Sequence, residues 1–132
     1  MSLESKIPRF RYFQSSNPDD YKTQQVIQLE VEGQLFLRAG VGYHSEILYD
    51  FIRECARAGE PILTEEEAKI YIQQGRPSVQ AGKYKAVGMG KVDIDVTSKT
   101  LRFHGSSQGY YMEIEERHLE RMRAHLPGWR IE

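Results

Sequence analysis

The sequence predicts an α+β fold, a mixed β-sheet packed by helices. Three observations lead there. Ile27, Leu29 and Val31 alternate with Gln28, Glu30 and Glu32, the period of a strand with two unlike faces. Ile47, Leu48, Phe51, Ile52 and Cys55 recur at helical spacing and form one apolar stripe. The elements then run as two strands, a helix, a helical segment, two strands, a helix and a short end strand.

Residues 1–22 mix Arg, Ser, Asn, Pro and Asp with aromatics, and they read as an irregular arm with residues 15–20 as its loop. After the first strand, Glu32-Gly33 turns the chain, a weaker hairpin signal than Asn-Gly. The return strand puts Leu35 and Leu37 on one face, with Phe36 and Arg38 opposite, and Gly40 and Gly42 end it. A helix is expected over residues 45–58, with Glu46 and Asp50 near its start and Arg53 and Arg57 near its end, the order a helix dipole favours. Cys55 falls on the buried stripe, as free cysteines often do. Thr64 with Glu67 is a capping box that opens a helix to about Gln74, stopped by Gly75 and Pro77. Residues 76–83 read as a loop. Residues 85–96 look extended, residues 97–99 turn, and Leu101 and Phe103 lie on the return strand. Residues 105–109 form a polar loop. The last helix spans about 115–125 with Leu119, Met122 and Leu126 inward, and residues 129–131 form the end strand. Repeats, low-complexity tracts and domain boundaries are lacking, so residues 23–132 read as a single domain.

The 132 residues suffice for one moderate core. A net charge of −1 argues against a partner gripped by charge alone, so no nucleic acid is expected. No apolar run approaches the roughly 20 residues that span a bilayer, and residues 1–13 lack the apolar centre of a signal peptide. One cysteine excludes an internal disulfide and a multi-cysteine metal site. The expectation is a cytoplasmic monomer without a membrane partner.

Two places carry chemistry. In Gly42-Tyr43-His44-Ser45 a strand passes through glycine into a helix, whose first N–H groups attract anions. A histidine there stands beside a natural phosphate site, and its ordinary pKa near 6.5 suits proton transfer at neutral pH. The alternative is a histidine that merely caps the helix or bonds a backbone carbonyl. The second place, Gly105-Ser106-Ser107-Gln108-Gly109, can converge N–H groups and hydroxyls on an oxyanion, or be an ordinary connection. His104 ends a strand just before it. His118 and His125 are seven residues apart on the last helix, too far for an i, i+4 metal pair, so no metal is expected. Ser106 and Ser107 lack a Ser-His-Asp pattern.

Taken together, these motifs resemble the Janus/Ocnus family, which includes the phosphohistidine phosphatases. The resemblance rests on Arg38, then Tyr43-His44 opening an amphipathic helix; on Gly88-Met89-Gly90-Lys91-Val92 and then Leu101-Arg102-Phe103; on residues 105–110; and on the final helix, Pro127 and Trp129. It covers roughly residues 24–59 and 84–131. It implies a phosphohistidine phosphatase-like sheet flanked by two helices, with no cofactor or metal. It implies a phosphatase acting on a phosphorylated protein or a small phosphoramidate, with His44 as the general base. Ser107 and the backbone of Gln108 and Gly109 would hold the phosphoryl oxygens, with Tyr43, Arg38 and Lys91 shaping and charging the pocket. Three features depart from the family pattern. Gln25 stands where lysine is common, Lys91 replaces an arginine, and residues 60–83 form a helical insertion. The alternative readings are a phosphate- or phosphoprotein-binding module without turnover and a regulatory interaction protein.

Overall fold

The computed structural model describes residues 2–17 and 21–132, so residues 18–20 of the expected loop lie outside the described residues. In chain order, a short 3-10 turn at Leu3–Ser5 precedes β1 (Phe10–Arg11), β2 (Thr23–Val31), β3 (Gln34–Gly40), α1 (His44–Arg57) and α2 (Glu65–Gln74). Then come β4 (Gln80–Ala81), β5 (Tyr84–Asp95), β6 (Thr100–His104), β7 (Ser106–Ser107), β8 (Met112–Glu113), α3 (Glu116–Arg123) and β9 (Arg130–Ile131). The fold is α+β. A seven-stranded sheet runs β1-β3-β2-β5-β6-β9, with β4 beside β5, and β7 pairs β8 separately. The sheet is mixed, because β1 joins β3 and β9 joins β6 in parallel while the other pairs are antiparallel. No described helix is long and apolar enough to cross a membrane.

The β2–β3 turn falls on Glu32-Gly33, with φ of 49° and 82°. Two successive positive φ values match the twist of the flanking strands, which is why so short a connection suffices. The sheet buries both faces. Ile27, Leu29 and Met89 pack under α1 with Phe51 and Cys55, whereas Val26, Leu35, Leu37 and Val92 pack under α3 with Leu119 and Met122.

Covering the second face reverses the expectation for Gln28, which the alternation sets on the polar side of β2. It is fully buried. Its Oε1 accepts from the Glu115 N–H at 2.7 Å, and its Nε2 donates to the Glu115 carbonyl at 2.8 Å. His118 of α3 donates from Nε2 to the Leu29 carbonyl at 3.1 Å. Buried polar groups need such partners, and these tie α3 to β2. The glycine pair in β5 makes room. A Cβ on Gly88 would stand 2.0 Å from Gln28 Oε1, and one on Gly90 would stand 2.6 Å from the His104 carbonyl.

The N-terminal arm is more ordered than its composition suggests. Leu3 and Ile7 are buried, β1 adds to the sheet, and the Phe10 and Tyr12 rings lie 5.5 and 5.9 Å from Trp129. A two-residue strand is too short for periodicity to reveal. Residues 60–83 extend the α1-side core through Ile62 and Tyr71. α2 opens on the expected capping box, with Thr64 Oγ1 accepting from the Glu67 N–H at 3.1 Å and Glu67 Oε1 accepting from the Thr64 N–H at 3.0 Å. Within the expected loop at 76–83, Gln80 and Ala81 pair with β5.

Candidate functional site

α1 starts one residue earlier than its pattern suggests, at His44 with Tyr43 as the cap residue, because the Glu46 carboxylate accepts from the Tyr43 N–H at 3.4 Å. The Glu46 and Ile47 N–H groups donate to the Tyr43 carbonyl at 3.0 and 3.1 Å, whereas those of His44 and Ser45 precede the first helical bond. His44 is 8% exposed, and its Nε2 lies 2.9 Å from the Gly90 carbonyl of β5. A carbonyl only accepts, so Nε2 carries the proton and Nδ1 keeps the lone pair. Burial lowers the imidazole pKa below its ordinary 6.5, and the Gly90 bond opposes that only in part. The ring is therefore neutral at physiological pH.

Beside His44, Gln25 of β2 stands in register with Lys91 of β5, and Lys91 with His104 of β6. Directly paired residues share a face, so three polar side chains line the sheet beyond the start of α1. The opposite wall is the β7–β8 hairpin. Ser107 is buried, and its Oγ accepts from the Tyr110 N–H at 3.4 Å. Between these walls lies a cleft of about 690 Å³. Tyr43, His44, Lys91, Ser107, Gln108 and Gly109 all line it, as expected, and so does His104. Tyr43 is largely exposed at the rim, at 78%. His104 Nε2 lies 3.1 Å from Asp93 Oδ1 at the outer end of the row.

Arg38 is not brought to the cleft. It is 4% exposed under α1, where Nε donates to Glu54 Oε1 at 2.8 Å and Nη2 to Glu54 Oε2 at 3.1 Å. It also donates to the carbonyls of Pro8 at 2.7 Å and Leu37 at 2.8 Å, and its guanidinium lies 5.1 Å from the Phe51 ring centre. Its side chain leaves β3 on the α1 face well inside the sheet, where Glu54 on the helix captures it. Arg38 is a core cation, and the expectation that it charges the pocket is corrected.

Two lining residues were not read from the sequence. Gln25 was noted only as a departure from the family, yet it forms part of the cleft wall, with Oε1 buried and without a hydrogen-bond partner among the described residues. Arg76 comes from the segment after α2. Its Nη1 donates to the Gly109 carbonyl at 2.6 Å. No local motif announces either residue, because the chain must fold for position 76 to meet position 109. Among the described residues no group of three or more His, Cys, Asp or Glu converges to hold a metal.

Chemically, the cleft offers a neutral imidazole, a helix start, a serine with neighbouring backbone amides, and two cations, Lys91 and Arg76. That set suits a tetrahedral anion and one proton transfer. No family model matches this chain, and no curated protein matches it.

Proposed function

We propose that this chain is a phosphatase of the Janus/Ocnus type, hydrolysing phosphohistidine on a protein or a related small phosphoramidate without a metal. The observation that carries the reading is the position of His44. Its imidazole is held by the Gly90 carbonyl through Nε2, lies beside the helix start, and shares one cleft with Ser107, Gln108 and Gly109. The α+β sheet with helices on both faces is compatible with the phosphohistidine phosphatase-like fold.

In the proposed reaction the phosphoryl oxygens lie against Ser107 and the amides of Gln108 and Gly109, with Lys91 supplying positive charge. His44 Nδ1 takes a proton from water as the water oxygen bonds to phosphorus. The P–N bond breaks, and the leaving nitrogen keeps the electron pair and takes up a proton. The P–N bond is labile, so positioning, one base and an oxyanion cradle account for catalysis. A second reading, a module that binds a phosphorylated protein without turnover, is favoured by Gln25 and Lys91, which remove a cation and a guanidinium fork from the family pattern.

The test compares phosphate release from phosphohistidine by the wild type and His44→Ala. General-base catalysis contributes ~10²–10⁴-fold, so turnover should fall by that factor while phosphate binding persists. The wild-type rate should rise as the imidazole deprotonates and level off, with a midpoint below 6.5. Full activity in His44→Ala removes His44 as the base. A wild type that binds phosphate but releases none leaves the binding module as the better reading.

A further inference from the structure

Lysine at position 91 offers the cleft a compact point charge, whereas arginine offers a planar fork that grips two oxygens at once. Among the described residues lining the cleft, Arg76 is the one guanidinium. It is delivered by residues 60–83, the segment that departs from the family pattern. Its Cζ stands 4.4 Å from the centre of the Tyr110 ring, and Nη1 donates to the Gly109 carbonyl at 2.6 Å. Tyr110 returns the contact, its hydroxyl donating to the Pro77 carbonyl at 2.8 Å. The Gly75-Arg76-Pro77 turn and the β7–β8 hairpin thus clasp each other. The aromatic face and the Gly109 carbonyl together hold the guanidinium in place. It sits beside Gly109, whose amide belongs to the proposed oxyanion cradle.

We propose that Arg76 is the bidentate phosphoryl-binding residue of this site, supplying from the inserted segment the fork that Lys91 lacks. The inference rests on the reading of the cleft as a phosphoryl site, and it assigns that site a specificity-determining residue. Among the described residues only Nη1 has an acceptor, so Nε and Nη2 form the N–H pair that a bound phosphoryl group would meet in the cleft that Arg76 shares with His44 and Lys91.

Titrating the full chain with inorganic phosphate, followed by amide shifts, tests this alongside a thermal melt without phosphate. Arg76→Ala should weaken phosphate binding by ~10-fold or more, since charge-assisted bonds are the strong ones. Arg76→Lys keeps the charge without the fork and should also bind several-fold more weakly than the wild type. Adding Lys91→Arg to Arg76→Ala should recover much of the loss. Unchanged affinity in Arg76→Ala, with only a lower melting temperature, overturns the inference and leaves the His44 reading standing. Arg76→Lys equal to the wild type overturns the bidentate role. No phosphate binding by the wild type at millimolar concentrations would remove the phosphoryl site itself, and the role of Arg76 with it.

Discussion

Arg38→Ala separates a core role from an anion-binding role. The substitution removes both Arg38–Glu54 hydrogen bonds, at 2.8 and 3.1 Å, and the donors to the carbonyls of Pro8, Arg9 and Leu37. Removing one partner of a buried ion pair typically costs ~3–5 kcal/mol. Glu54 keeps Arg11, whose Nε lies 3.1 Å from its Oε2, so the carboxylate is not abandoned and the lower end applies. Loss of the Phe51 contact and of the bond that anchors Pro8 adds to this, giving about 3–4 kcal/mol. That is a large share of the ~5–15 kcal/mol stability of a typical domain. Urea unfolding of the wild type, Arg38→Ala and Arg38→Met, read by midpoint and slope, measures it; methionine retains the packing stem and should lose less. Phosphate titration of the folded variants should give wild-type affinity. Stability within ~0.5 kcal/mol of the wild type, the range of an ordinary surface substitution, together with a several-fold loss of phosphate affinity, would refute the reasoning and return Arg38 to the cleft.

Gly90→Ala places a Cβ 2.6 Å from the His104 carbonyl and 2.8 Å from the Ile114 side chain, so overpacking should cost ~1–3 kcal/mol in a thermal or urea melt. The same change shifts the carbonyl that holds His44 and should lower phosphate release from phosphohistidine, whereas Gly128→Ala, with open space around it, should leave both unchanged. Burial lowers the pKa of both His44 and His118 from 6.5, so at acid pH the unfolded chain binds protons that the folded chain does not. Their contribution to stability is therefore full above pH 6.5 and is lost as pH falls through that value toward the lowered ones. Urea midpoints measured from neutral to mildly acidic pH should decline, and His118→Gln should flatten the decline; an unaltered slope in that variant would show that His118 is not one of the titrating groups.

Much of this protein was legible in its residues. The alternation from Ile27 to Val31, the stripe from Ile47 to Cys55 and the Thr64–Glu67 box each depend on neighbours within a few positions, and each element formed where its pattern lies. Backbone hydrogen bonding and side-chain periodicity are local, so the sequence by itself determined the longer elements, the α+β class and the two glycine-flanked places that meet at the cleft, but not the two-residue strands β1, β4, β7 and β8. It did not reveal which polar side chains would be enclosed. Gln28 alternates like a solvent residue and is buried because α3 covers the second face of the sheet. Arg38 and Arg76 look interchangeable as free cations in the chain. One is sequestered by Glu54 on α1, while the other reaches Gly109 across 33 positions. A charge in water finds its partner only when distant segments pack, and where the chain brings them together is a property of the whole assembly. That is why only the tertiary structure decided which arginine belongs to the core and which to the cleft.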